Sequence, residues 1–324
     1  SYFGLQIANG ETHYRDFVMV YPPVAHYFMA GFMLIFGKTM LNAFILSNIL
    51  AILSLILVYF ILKRFFGQFE SLLGMLLFSL MPIFSENGLL LEYFSVFFLL
   101  IGIYLMLKEN NTAIAFSGVF FALGYFSKQT AGLIMIGAAI YLLFRKRFKD
   151  FGLFLVGQFL FSVFMFLILF KATGSTGFID QVLYQLYSPL ERPFFSSLLN
   201  VLTIIMHPLY LLGLSGLLYG LFNLKDLNEV EKLSLSVVIV FFGFAFLKAG
   251  LISEYLMILV MPFLSVLSLK LFDFKVDKWK YFLALVLIFS FLFGPLAAVG
   301  KQLFYFPEKH QEIIETAEYI KTLT

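Results

Sequence analysis

The stretch MLNAFILSNILAILSLILVYFILKR (residues 40–64) runs uncharged from 40 to 62 and then meets Lys63 and Arg64. A helix needs about 20 apolar residues to cross a bilayer. This run satisfies that length, and its basic end gives a direction, because Lys and Arg near span ends stay on the cytoplasmic side. Working outward, further apolar runs lie at roughly 71–85, 89–107, 112–127, 129–144, 151–171, 198–222, 233–248, 253–270 and 281–300. Basic residues fall at every second junction: Lys63/Arg64, Lys108, Arg145/Lys146/Arg147/Lys149, Lys225/Lys232 and Lys270/Lys275/Lys278/Lys280. These are thirteen of the chain's 22 Lys and Arg residues, so the alternation predicts one topology. The basic junctions face inward, and Asp16, Glu92 and Glu254 all face outward.

The composition agrees. The 324 residues are 61% hydrophobic and 13% charged, which fits an all-α bundle of about ten membrane helices rather than a soluble domain. The net charge of +3 sits on the inner loops and argues for orientation, not nucleic-acid binding. Cysteine is absent, which excludes disulfides, thiolate nucleophiles and cysteine metal sites. The four histidines, His13, His26, His207 and His310, lack ligand spacing, which argues against zinc. No Gly-rich phosphate motif occurs in the inner loops. An outer face also has no access to cytosolic nucleotides.

Residues 1–39 read as a first outer segment. Its apolar run 24–36 is too short to span and follows Pro22 and Pro23, which suit a first helical turn. It is predicted to lie in the outer interface. An outer N-terminus without a targeting segment predicts at least one further membrane helix ahead of Ser1. The expected organisation is a transmembrane domain over 1–304, made of the outer segment 1–39 and the bundle 40–304. Residues 305–324 would then open a truncated extracytoplasmic segment.

The candidate chemistry sits on the outer side. Asp16, in His13-Tyr14-Arg15-Asp16-Phe17, is placed to take a proton from an acceptor hydroxyl, or is a loop acid paired with Arg15. Glu92 starts a span, where a carboxylate is expensive; it is either functional or the marker of a span end. Lys128, in Tyr125-Phe126-Ser127-Lys128-Gln129-Thr130, is a cation on the side that should lack them. It either binds an anionic phosphate or snorkels to headgroups. Arg192 in the long fourth loop has the same two readings, with Glu191 as a pairing partner. His13, Arg15, Glu86, Asn87 and Arg192 join Lys128 as candidate substrate-binding residues. No motif demands a cofactor, and a divalent metal held with help from Glu92 stays open.

The ordered set of motifs resembles the GT-C superfamily of polytopic glycosyltransferases, in its dolichyl-phosphate-mannose–protein mannosyltransferase and aminoarabinose transferase branch. The resemblance rests on Tyr14-Arg15-Asp16-Phe17 followed by Tyr21-Pro22-Pro23 and a short helix ending Phe36-Gly37. It continues with Lys63-Arg64-Phe65-Phe66-Gly67, then Glu92 in Leu91-Glu92-Tyr93-Phe94, then Gly118 and Gly124 leading to Ser127-Lys128-Gln129-Thr130. It implies that Asp16 is the catalytic acid of the first outer loop, Glu92 that of the second, and Lys128 the lysine near the donor phosphate. It also implies a polyprenyl-phosphate sugar donor, a hydroxyl acceptor on protein, lipid or glycan, inversion at the anomeric carbon, and a multi-pass location in the plasma membrane. Glu254 before Tyr255, with Pro262 later, departs from the His or Arg that family members often place there. Three rival classes are open. A secondary transporter predicts paired charges in mid-membrane, and a lipid-linked polysaccharide ligase or polymerase predicts several arginines in a large outer loop. A non-catalytic scaffold would tolerate neutralising Asp16, Glu92 and Lys128.

Overall fold

The structure, a computed structural model, describes residues 2–17, 19, 21–80, 91–108, 110–174, 208–247 and 254–272. Glu86, Asn87, Arg192, His207, the run 281–300 and the segment 305–324 lie outside these residues. So do the side chain of Glu254 and nearly all of the fourth outer loop. The described residues form α-helices and short 3-10 turns, with no strand among them.

Eleven α-helices follow in order: α1 Tyr2–Ala8, α2 Val24–Phe36, α3 Met40–Leu62, α4 Gln68–Ser79, α5 Leu91–Met106, α6 Asn111–Ser127, α7 Gly132–Phe144, α8 Phe148–Thr173, α9 Pro208–Phe222, α10 Glu229–Leu247 and α11 Glu254–Leu269. Two of them, over Leu41–Leu62 and Phe148–Thr173, are long and apolar enough to cross a bilayer. The run expected at 24–36 forms one helix with those bounds. At about 1.5 Å per residue its 13 residues reach about 20 Å, short of the ~30 Å hydrocarbon layer.

Local chemistry sets the helix ends. Asn42 donates from Nδ2 to the carbonyls of Phe36 (2.9 Å) and Gly37 (2.7 Å), satisfying the end of α2. Gly37 itself turns the chain at φ 111, a region open to glycine. Thr39 then accepts the backbone N–H of Asn42 and caps α3. Asn110 caps α6 by accepting from the N–H of Ala113 at 2.7 Å. Gly174, at φ 68, closes α8.

The hairpin α5–α6 is the centre of the packing, with α8 against α6 and α3 against α5. A second layer, α9 to α11, closes on α4, α5 and α7. α6 and α8 approach through glycine. A Cβ on Gly118 would strike the carbonyl of Phe154, and one on Gly157 the carbonyl of Ala115. Such small-residue contacts let backbones meet where burial from water supplies no drive. By contrast α8 leaves Leu155, Phe159, Leu160, Val163, Phe164 and Leu167 exposed, as a lipid-facing helix would.

The described basic junctions meet at one end of the bundle. Arg64, at the end of α3, donates to the carbonyl of Tyr104 near the end of α5 (3.3 Å), and Lys108 lies over the same ring. Arg145, at the end of α7, pairs with Glu229 at the start of α10 (2.9 Å). Lys270, after α11, pairs with Glu231. Leu62, Ile103, Val230 and Val266 line one small cavity beside these groups, which puts them at the same end. Glu92 and Lys128 stand at the opposite end of α5 and α6.

Candidate active site

The α5–α6 hairpin brings two charged residues together at the end opposite the basic junctions. Glu92 is in the first turn of α5, and Lys128 is the residue that ends α6. The two helices are antiparallel neighbours, so residues 36 apart in sequence become adjacent. Ser95 fixes their register by donating to the carbonyl of Gly124 across the hairpin at 2.9 Å. Lys128 is extended (φ −154), while its N–H still bonds to Gly124. This break in the helix turns its side chain back toward α5.

The Lys128 ammonium lies 3.0 Å from Oε1 of Glu92, with both side chains largely buried at 13% and 4% exposure. A charge at this depth is stable only when paired, and the pair satisfies that need for both residues. On another side the ammonium sits 4.2 Å from the centroid of the Tyr21 ring. Tyr21 precedes the two prolines that open α2, so the first segment supplies one wall of the lysine's environment. The structure thus joins two of the residues singled out in the sequence, and it adds Tyr21, whose spacing carried no signal.

Asp16 is held in a turn of its own. Its carboxylate takes Arg15 on both oxygens, at 2.9 and 2.8 Å, and the Thr12 N–H at 2.6 Å. Arg15 beside it, with help from Thr12, holds the carboxyl down at about 2, so it is ionised across the physiological range. The group is exposed, and its pairing with Arg15 is the loop arrangement that adjacency in sequence suggests.

The same turn is anchored from beneath. Tyr14 is buried at φ 68, a strained region for a side chain of its size. Its hydroxyl donates to the carbonyl of Tyr21 at 2.8 Å, which offsets that cost. His13 is fully buried, with its ring 4.0 Å from that of Tyr14 and 5.5 Å from that of His26. Burial pushes the His13 imidazole down to about 4, against a smaller opposing effect of the Tyr21 backbone. His13 thus lies packed under the turn that carries Asp16.

Residues 20–170 match the family model described as dolichyl-phosphate-mannose-protein mannosyltransferase. The match covers a little under half of the chain. It contains Tyr21, Glu92 and Lys128 and begins after His13, Arg15 and Asp16. No curated protein and no solved structure matches the chain. Among the described residues no group of three or more His, Cys, Asp or Glu side chains is placed to hold a metal ion.

Proposed function

We propose that this protein is a membrane glycosyltransferase that moves a sugar from a polyprenyl-phosphate donor to an acceptor hydroxyl at the extracytoplasmic face, with inversion. The observation that carries this reading is the buried ammonium of Lys128 in the stretch that resembles the mannosyltransferase family. The outer end of α5–α6 supports it, lying away from the basic junctions that would face the cytosol. The transporter alternative expects charge pairs in mid-membrane, and the Glu92–Lys128 pair sits at helix ends.

In this reading the acceptor oxygen attacks the anomeric carbon from the face opposite the phosphate. A bond forms to that oxygen as the bond to the phosphate oxygen breaks, which inverts the centre. The electron pair leaves with the lipid phosphate, and Lys128 offsets the charge that develops there. Asp16 aligns the acceptor hydroxyl and takes its proton. A carboxylate held near 2 is a weak base, so the proton passes late, when the hydroxyl has become strongly acidic in the transition state. Arg15 holds Asp16 until the acceptor arrives. Glu92 keeps Lys128 aimed while the donor is absent. Glu86, Asn87 and Arg192 are assigned to the donor and acceptor surfaces of the outer loops, with Arg192 as a second cation for the phosphate.

The test is transfer from radiolabelled polyprenyl-phosphate sugars by the full chain in membranes. Asp16→Asn is expected to lower kcat about 100-fold or more with little change in donor binding. The product anomer should be opposite to that of the donor. Full transfer by Asp16→Asn, or retention at the anomeric carbon, would overturn the assignment.

A further inference from the structure

We infer that Tyr21 is a positioning residue that holds Lys128 at the donor phosphate and ties it to the turn carrying Asp16. The inference rests on the glycosyltransferase reading above and gives a role to a tyrosine that the sequence offered only as part of the Tyr21-Pro22-Pro23 motif.

A lysine ammonium is a compact charge on a flexible four-carbon stem, and one carboxylate does not fix its direction. Glu92 supplies one contact at 3.0 Å. A donor phosphate would compete with that carboxylate for the same ammonium hydrogens. Once the phosphate wins, Glu92 no longer restrains the lysine as strongly. The ring of Tyr21, 4.2 Å away, attracts the ammonium through its π face, so it brings no negative charge into the site. It can keep its hold while carboxylate gives way to phosphate.

The carbonyl of Tyr21 accepts the hydroxyl of buried Tyr14 at 2.8 Å. Two residues after Tyr14 comes Asp16, in a turn closed by the Asp16 and Arg15 N–H groups bonding to the carbonyl of Thr12. An isolated bridge between His13 and Phe17 brackets the same turn. One residue therefore touches both halves of the site, through its ring on one side and its carbonyl on the other. Displacement of either half is transmitted to the other through Tyr21.

The ring is tested apart from the backbone. In a Lys128-assigned spectrum of [ε-13C]lysine-labelled protein, the ring current of Tyr21 should move the Lys128 signal upfield in wild type and in Tyr21→Phe. In Tyr21→Leu the signal should return to its ordinary position. In transfer assays, Tyr21→Leu is expected to raise the donor KM roughly tenfold while Tyr21→Phe stays near wild type. In a Lys128→Met background the same Tyr21→Leu change should alter the donor KM by less than about twofold, because the ring acts through the lysine. A residue that merely stabilises the fold would give equal losses in both backgrounds, and that additivity would overturn the inference. So would a Tyr21→Phe as defective as Tyr21→Leu, or an unshifted Lys128 signal in wild type. Wild-type protein that turns over no polyprenyl-phosphate sugar, with the Lys128 signal shifted as expected, would instead sink the glycosyltransferase reading and the donor role of Tyr21 with it.

Discussion

Lys128 and Glu92 each stood out in the sequence as charges in apolar surroundings, but nothing in the sequence paired them. They are not at helical i, i+4 spacing, and only the antiparallel course of α5 and α6 makes them neighbours. Arg15 and Asp16 were readable as a pair because they are adjacent. The burial of His13 was not readable: it lies in a polar island, yet its ring is buried under the turn. The Glu92–Lys128 pair makes a stability prediction. Removing one member leaves an uncompensated buried charge, so Lys128→Met should cost about 3 kcal/mol or more. Adding Glu92→Gln removes the stranded charge, and the double variant should recover most of the thermal stability lost by the single one. Melting curves in detergent check this. Equal destabilisation in the two variants would mean that the pair is not buried as described.

At the scale of elements, apolar runs located most helices to within a few residues. The run read at 151–171 is α8, Phe148–Thr173, and the run at 24–36 is α2. Capping residues such as Thr39 and Asn110 could be read locally, because a cap is a contact between near neighbours. Helix pairing could not. The close approach of α6 and α8 rests on Gly118 and Gly157, which resemble any other glycines of the 23 in the chain until the helices are packed. Gly118 lies on α6, the helix that ends at Lys128, so its packing bears on the site. Gly118→Leu should prevent α6 and α8 from closing and abolish accumulation of folded protein in the membrane. Gly152→Ala, at a position where an added Cβ meets nothing, should leave the yield unchanged. Size-exclusion profiles of the two variants distinguish the outcomes, and a normal profile for Gly118→Leu would contradict the packing.

Across the whole molecule, the alternating basic junctions were the most informative part of the sequence, because orientation depends on loop charge and not on tertiary contacts. In the structure the described junctions at the ends of α3, α5, α7 and α11 gather at one end, and Glu92 and Lys128 lie at the other. The chemistry proposed for that second end needs a donor delivered from the outer side. The most direct measurement is sugar transfer in sealed vesicles whose outer protein face is turned outward, with polyprenyl-phosphate sugar and acceptor supplied only from outside. Wild type is compared with the Glu92→Gln/Lys128→Met double variant, which is expected to be folded. The account predicts transfer by wild type and a loss of about 100-fold or more in the double variant. Transfer by the folded double variant at the wild-type rate, or wild-type transfer only after the vesicles are opened, would contradict it.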